Sequence, residues 1–216
     1  MRRRPAQGLP QAAQIYGLIS LMLEYPGEEL LAARGRLHAE AVRLGPAGPA
    51  GQVRRFADYL LAGSAGALAA AYVSTFDWRS ATSLHLTYSE FGDTRARGAA
   101  LAALKHRYRL ASFRPRESEL PDYLPLLAEF AALDAAGEAA LASCHVGLAV
   151  LDQALAKERS PYRHLTRAAG LLLGHLSARG QERLAALIAS GPPVEAVGAD
   201  GACPPWPSPL AAGGGS

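Results

Sequence analysis

The sequence predicts an all-α protein, a single bundle-like domain of about eight or nine helices over residues 11–190. Alanine and leucine dominate a chain that is 50% hydrophobic but only 7% aromatic, and both residues favour helices. Apolar residues recur at i, i+3, i+4 and i+7, the spacing of a helix with one buried face. Glycine and proline separate these periodic segments, where they end helices.

Four helices are predicted in the first third of the chain. The first runs from Gln11 to about Tyr25 and ends before Pro26, and the second runs from about Glu28 to Leu44 and ends at a Gly/Pro-rich segment. The third and fourth are located by apolar residues at helical spacing. The predicted inward-facing residues of the four helices are Ile15, Leu18, Ile19, Met22, Leu23, Leu30, Leu31, Leu37, Leu44, Val53, Phe56, Leu60, Leu68, Tyr72 and Phe76.

The helical period lapses between Asp77 and Gly92, where serine, threonine and aromatic residues form a connection that is long for a helical bundle. One short helical turn is expected within it, at residues 84–87. The fifth helix is predicted from Thr94 to about Leu110, with Asp93 as its N-cap.

The sixth helix is predicted from Tyr123 to about Leu133, with Asp122 as its cap and Pro125 in its first turn. The seventh spans about Gly137–Lys157, and an eighth follows Ser160-Pro161. Apolar residues of the seventh helix form a near-heptad seam that consists of Leu141, Cys144, Leu148, Leu151 and Leu155. The eighth directs inward Leu165, Ala169, Leu172, Leu173 and Leu176. A last short helix carries Leu184, Leu187 and Ile188. Residues 1–10 are expected to be flexible, and the Pro/Gly-rich residues 191–216 disordered.

The composition argues against several classes of protein. A formal net charge of +3 is too small to require a polyanionic partner. No apolar run reaches the length of a membrane span, so no stable membrane insertion is expected. Arg2–Arg4 precede an apolar stretch that superficially resembles a signal peptide, but the helical spacing within it favours the first helix of a cytoplasmic protein. The two cysteines, Cys144 and Cys203, do not suggest a disulfide framework.

The sequence contains no recognisable catalytic or metal-binding motif. Six scattered histidines lack metal-ligand spacing, and there is neither a phosphate-binding glycine loop nor a nucleophile elbow. We therefore assign no reaction, cofactor or metal. The basic run Lys105–Arg109 invites a nucleic-acid interpretation, but its charges do not share one helix face, so no nucleic-acid partner is expected. Two functional classes are kept as less favoured alternatives to the interpretation developed below. They are a nucleic-acid-binding helical protein and a structural subunit of a membrane redox complex.

Four short motifs in series point to a family. They are Thr75-Phe76-Asp77, Ser83 to Tyr88 (SLHLTY), Gly92 to Gly98 (GDTRARG) and Glu119 to Pro125 (ELPDYLP), and Ser160-Pro161-Tyr162 follows. In order and spacing they resemble the nitrate reductase molybdenum cofactor assembly chaperones, the NarJ family, within the TorD/DmsD-like helical superfamily of redox enzyme maturation proteins. The resemblance covers roughly residues 11–190 and is strongest in the middle of the chain.

The resemblance implies a cytoplasmic, all-helical chaperone that is not an enzyme. Such a protein binds the N-terminal tail of the nitrate reductase catalytic subunit and keeps the apoenzyme competent for molybdenum cofactor insertion. The partners expected are therefore that tail and the machinery that inserts the cofactor.

Candidate binding residues cluster in the SLHLTY and GDTRARG motifs. Asp93 is interpreted as a helix cap that can also meet a basic residue of the partner. Arg97 shares a helix face with Leu101, Leu104 and Tyr108, so it must either form an internal ion pair, with Asp77 or Glu90, or line a groove. Among the neighbouring aromatic residues, Tyr88 is either a core residue or an interface anchor.

The ELPDYLP motif supplies the other candidates, Glu119, Asp122 and Tyr123. Its two prolines make a rigid start for the sixth helix, and in one interpretation the motif only fixes the angle between the loop and that helix. Two carboxylates and a tyrosine also suit recognition of a short amphipathic helix with a basic end. The binding hypothesis from the sequence thus comprises Tyr88, Glu90, Asp93, Arg97, Glu119, Asp122 and Tyr123.

Overall fold

A computed structural model describes residues 10–77, 80–115 and 119–190, and these ranges contain eleven α-helices. The predicted all-α class is confirmed. The helices are α1 (Gln11–Met22), α2 (Glu28–Arg43), α3 (Gly48–Ala62), α4 (Ala65–Phe76), α5 (Leu86–Phe91), α6 (Arg95–Leu110), α7 (Leu124–Leu133), α8 (Ala135–Ser143), α9 (His145–Lys157), α10 (Arg163–Leu173) and α11 (Ala178–Ser190). The predicted flexible N-terminus, except Pro10, and the predicted disordered tail lie outside the described residues.

The helix count exceeds the predicted eight or nine for two reasons. The short turn expected in the long connection extends into α5, and the single helix predicted over Gly137–Lys157 is two helices, α8 and α9, bent by 68°. A Cβ on Gly137 would lie 2.2 Å from the carbonyl carbon of Phe130, and one on Gly147 would lie 2.1 Å from the carbonyl oxygen of Leu86. The two halves therefore pack closely on the backbones of α7 and α5 respectively, and the break at Cys144 gives each half its own direction.

The centre of the core lies between α1, α7 and α8, which pack against one another in that order. Tyr16, Ile19 and Met22 of α1, with Leu127 and Phe130 of α7, are fully buried there. Burial of each such side chain contributes about 1.5–3 kcal/mol. Around this centre, α3 packs against α2 and α10, and α9 packs against α5, α10 and α11.

A cluster of aromatic rings joins the N-terminal helices to the later ones. The Tyr162 ring lies 4.9 Å from Phe56, 4.8 Å from Phe76 and 5.8 Å from Tyr72, centroid to centroid. Tyr25, just after α1, meets the Tyr72 ring edge-on at 5.4 Å. The cluster therefore fixes α4 and the chain after α1 relative to α10.

Two predicted helix caps are wrong. Helix α6 begins at Arg95 with Thr94 as its cap residue, and α7 begins at Leu124 with Tyr123 as its cap residue, so each starts one residue later than predicted. Neither cap residue forms a side-chain hydrogen bond to its helix. Asp93 and Asp122 have other partners, described below. Pro125 does occupy the first turn of α7.

Candidate functional site

The SLHLTY and ELPDYLP motifs are two halves of one junction. The Leu86 N–H donates to the Asp122 carbonyl at 3.1 Å, and the Leu124 N–H donates to the Leu84 carbonyl at 2.9 Å. These bonds flank an isolated antiparallel bridge between His85 and Tyr123. Backbone pairing thus holds the start of α7 against the start of α5.

The carboxylate of Asp122 lies inside this junction and is fully buried. It accepts a hydrogen bond from the Thr87 N–H at 3.2 Å and a short one from the Thr87 hydroxyl, and His85 Nδ1 lies 3.3 Å from its Oδ1. Thr87 is the second residue of α5, so the carboxylate caps α5 from a position 35 residues further along the chain. Asp122 is therefore a cap, but of a different helix from the one predicted.

Hydrogen bonding outweighs burial in setting the charge of Asp122. Burial alone would raise the pKa of its carboxyl, but hydrogen bonds from His85 and Thr87 favour the ionised form, as does the positive charge of Arg97. The net effect is a pKa below the ordinary value. The junction therefore holds a carboxylate that is already satisfied by groups of its own chain.

Tyr108 of α6 fixes the position of the ELPDYLP motif through a hydrogen bond. Its hydroxyl donates to the Pro121 carbonyl at 2.6 Å, and its ring lies 5.0 Å from Phe130 and 5.3 Å from Phe113. Since Pro121 immediately precedes Asp122, helices α5, α6 and α7 together set the position of the motif.

Tyr123 lies next to the buried carboxylate and belongs to a group of aromatic and acidic residues whose exposure differs, since Tyr72 is buried and Tyr25 is 53% exposed. Its ring lies 5.4 Å from His85, and its hydroxyl interacts with that of Tyr72. Burial, the Tyr72 hydroxyl and the negative charges of Glu24 and Glu119 raise the pKa of Tyr123. Burial and nearby Glu24 and Asp77 likewise raise the pKa of Tyr72. We call this group the Tyr123 surface; it comprises Glu24, Tyr25, Tyr72, Asp77, Glu119 and Tyr123.

Four members of the Tyr123 surface were not among the binding residues predicted from the sequence. Tyr25 is 53% exposed, and Glu24 and Asp77 follow the C-terminal ends of α1 and α4. An acidic residue at a helix C-terminus is unfavourable to the helix dipole. In the sequence, an acidic residue lies at each of these two helix ends, within a turn or two of a tyrosine. This pattern could have identified the missed residues.

Arg97 is held by the segment that precedes its own helix and by α5. Its Nη1 donates to Asp93 Oδ1 at 3.0 Å, and its guanidinium carbon lies 5.2 Å from the centre of the Tyr88 ring. Its side chain is 16% exposed. The predicted internal ion pair is present, but the partner is Asp93, which the sequence analysis had assigned as a cap, and not Asp77 or Glu90.

Replacing Arg97 with alanine should lower the free energy of unfolding by about 1–2 kcal/mol, because the contact with Tyr88 and the ion pair with Asp93 are both lost. Arg95→Ala should change it by less than about 0.5 kcal/mol, because Arg95 is exposed. Urea unfolding of both variants measures the difference. Equal losses would show that Arg97 contributes no more than a surface cation.

Glu90 at the end of α5 is linked to the last helix. Arg183 of α11 donates from Nη2 to the Glu90 carbonyl at 3.1 Å, and its Nε lies 4.0 Å from the Glu90 carboxylate. Burial raises the pKa of Glu90, and Arg183 partly offsets the effect. The carboxylate predicted to meet a partner therefore has a cation of its own chain beside it.

The seven residues predicted to bind a partner fall into two sets of contacts. Tyr88, Glu90, Asp93 and Arg97 are grouped around the contact between α5 and α6, whereas Glu119 and Tyr123 belong to the Tyr123 surface. Asp122 lies between the sets, because it caps α5 and precedes Tyr123.

Residues 10–77, 80–115 and 119–190 contain neither a single helix that could span a membrane nor a cluster of metal ligands. In those ranges no single helix is both long and apolar enough to cross a bilayer; α8 and α9 would satisfy the criteria of length and composition only if taken together across their bend. Within the same ranges no three or more His, Cys, Asp or Glu side chains are grouped as metal ligands.

Sequence comparisons place the junction inside a known family. The model of the nitrate reductase delta subunit family matches residues 46–167, which include both halves of the junction and all of α6. The nitrate reductase-like protein NarX of Mycobacterium tuberculosis is 35% identical over 169 residues, covering 75% of this chain and 25% of NarX. A Bacillus subtilis protein assigned as the nitrate reductase molybdenum cofactor assembly chaperone NarJ is 38% identical over 117 residues, covering 54% of this chain and 64% of that protein.

These matches are partial along the relatives. The chain spans about a quarter of the length of NarX and less than two thirds of that of the Bacillus protein. Among solved structures, that of a candidate redox enzyme maturation protein from Archaeoglobus fulgidus aligns with a TM-score of 0.56 and 21% identity, covering 81% of this chain and 100% of that one. This likeness shows a shared fold.

Proposed function

This chain belongs to the nitrate reductase delta subunit family and is a NarJ-like maturation protein, and from that premise we propose that it is an assembly chaperone for nitrate reductase. It binds the N-terminal segment of the apo catalytic subunit and keeps that subunit competent for insertion of the molybdenum cofactor. The role requires no reaction catalysed by the chain itself.

The observation that carries this proposal is the Tyr123 surface. Tyrosines offer an apolar ring with a polar tip, which suits contact with an amphipathic segment. Carboxylates beside the rings favour a segment with basic residues. The surface is also preorganised, because backbone pairing to α5 and the Tyr108 hydroxyl fix the ELPDYLP motif from beneath. A rigid surface loses little conformational entropy when it binds.

In the proposed complex, the catalytic subunit's segment lies as a helix with its apolar side on Tyr25 and Tyr123, and the buried Tyr72 supports these two rings from the core. Its basic residues lie near Glu24, Asp77 and Glu119. This is helix recognition by an aromatic surface with a charged edge. Asp122 has a positioning role in this mechanism, because its buried carboxylate is occupied by Thr87 and His85.

Binding of a synthetic peptide of the catalytic subunit's N-terminal segment, measured by calorimetry with the full chain, tests this mechanism. Tyr25→Ala should weaken binding at least about tenfold, or about 1.4 kcal/mol, because it removes the most exposed ring of the surface. The double variant Glu24→Gln/Glu119→Gln should weaken binding by a similar factor, and more so at low salt.

Matched variants lie elsewhere on the chain. Leu133→Ala removes an apolar side chain that is 54% exposed, like Tyr25, and Glu129→Gln/Glu138→Gln neutralises two exposed carboxylates of α7 and α8. Both should bind the peptide within about twofold of the unaltered chain. If the Tyr123-surface variants bound as tightly as these controls, the proposed mode of recognition would be wrong.

A further inference from the structure

Helix α6 carries charge of one sign. It contains five of the chain's 22 basic residues and none of its 19 acidic residues, so the remainder of the chain has a formal charge of −2. The chain's small positive charge is therefore local and not a general property of its surface.

Most of these cations point away from the protein. Arg97 is turned inward to Asp93 and Tyr88, whereas Arg95, Lys105, Arg107 and Arg109 are exposed. None of the four forms an ion pair with another residue of the described ranges. Cations near a helix C-terminus favour the helix dipole, but Arg95 lies in the first turn, where a cation is unfavourable. Helix stability therefore does not account for Arg95.

The exposed side of α6 has a regular pattern. Arg95, Ala99, Ala102, His106 and Arg109 follow one another at intervals of four and three residues, so they form one stripe along the helix. All five are exposed, while Leu104 and Tyr108 on the opposite side are buried. We call this stripe the α6 face. Its ends lie roughly 21 Å apart at 1.5 Å per residue.

Apolar surface adjoins the C-terminal end of the α6 face, next to Arg109. Leu110 is 74% exposed, more than any other large hydrophobic residue of the described ranges. Ala103 and Gly98 are also exposed beside the stripe. The surface thus combines cations at both ends with a smooth apolar middle.

We propose that the α6 face docks an acidic helix of a partner protein. Alanines in the middle allow a second helix axis to approach to about 8 Å, the short end of the range for packed helices. Carboxylates near the two ends of that helix would then pair with Arg95 at one end and His106 and Arg109 at the other. This surface is distinct from the Tyr123 surface, whose charge is of the opposite sign.

The arrangement favours a helix over a nucleic acid or a lipid surface. A nucleic-acid backbone presents closely spaced phosphates along its whole length, whereas here about four helical turns separate Arg95 from Arg109, with no arginine or lysine of the stripe between them. Anionic membranes bind amphipathic helices through a broad apolar side, and α6 exposes a single large apolar residue beside the stripe. Duplex DNA and vesicles are therefore comparison ligands in the test.

The test uses the full chain and a 20-residue helical peptide with glutamates near both ends and alanine and leucine between them. The comparison ligands are the same peptide with two central prolines, a duplex DNA and vesicles of phosphatidylcholine and phosphatidylserine. We expect the helical peptide to bind at least about tenfold more tightly than the proline peptide, with affinity falling as salt increases. Binding of the proline peptide, the DNA or the vesicles as tightly as the helical peptide would overturn the proposal.

Two variants test the face itself. Ala102→Trp keeps every charge but blocks close approach, and Arg95→Gln/Arg109→Gln keeps the shape but removes the charges; each should weaken binding of the helical peptide at least about tenfold. Ala32→Trp and Arg36→Gln, at exposed positions of α2, should leave binding unchanged. Circular dichroism confirms that each variant is folded. Unchanged affinity in both α6 variants would overturn the proposal.

Discussion

Asp122→Ala is expected to lower the free energy of unfolding by about 3 kcal/mol. The substitution removes a fully buried acceptor from the Thr87 N–H and hydroxyl and from His85. The Thr87 N–H and hydroxyl then stay buried without a partner, and the first turn of α5 loses its cap. Urea unfolding followed by circular dichroism measures the loss.

Asp122→Asn is the matched control, because it keeps one acceptor oxygen and removes the charge. We expect about half the loss of the alanine variant. The Asp122→Asn variant and the unaltered chain differ in their free energy of unfolding. The lowered pKa of Asp122 determines how this difference depends on pH. The ionised form is favoured in the folded chain, so the advantage of Asp is complete above the unfolded carboxyl's ordinary pKa of about 3.9. It is lost as the pH falls through the lower pKa of the folded state. An Asp–Asn difference that grew toward low pH would contradict this account.

Gly147→Ala is expected to lower the free energy of unfolding by about 2–3 kcal/mol. The added Cβ would lie 2.1 Å from the Leu86 carbonyl oxygen and 2.9 Å from its carbon. Both contacts are with backbone, so relief requires α9 and α5 to separate. Because the Leu86 N–H pairs with Asp122, the separation also disturbs the junction beneath the Tyr123 surface. Thermal and urea unfolding measure the effect.

Gly35→Ala tests the same chemical change where there is space. Gly35 lies inside α2, and nothing approaches within 4 Å of the position that its Cβ would take. Alanine should therefore raise stability by about 0.5–1 kcal/mol through its better helix propensity. If Gly147→Ala were as well tolerated as Gly35→Ala, the tight contact between α9 and α5 would be refuted.

The helical core was predictable from the sequence because apolar spacing reports burial directly. All five residues of the near-heptad seam, from Leu141 to Leu155, are buried as expected. The same spacing did not reveal the bend at Cys144. Both half-helices bury residues of one seam, and the bend depends on which backbones Gly137 and Gly147 touch. Local sequence contains no information about these distant neighbours.

The sequence identified residues that have specific structural roles better than it predicted their contacts. Motif spacing selected both Asp122 and Arg97, and each has a specific structural role. Yet Asp122 caps α5 rather than α7, and Arg97 pairs with Asp93. Helix caps are usually assigned to the nearest helix in sequence, but Asp122 bonds to Thr87, which lies 35 residues earlier in the chain. Tyr25 and Glu24 were missed because they reach the site from the end of α1.

Helix α5 is capped by Asp122, a residue 35 positions after Thr87 in the same chain. This determines when the proposed binding surface can form. Six residues are too few for a helix to persist in water by itself, so α5 depends on the cap that Asp122 supplies from the start of α7 and on its packing against α9. A nascent or damaged copy that has not closed this loop would have no ordered platform under Tyr123. In the proposed mechanism, the molecule therefore becomes competent to bind only when its own folding is complete, and immature copies would not occupy a partner.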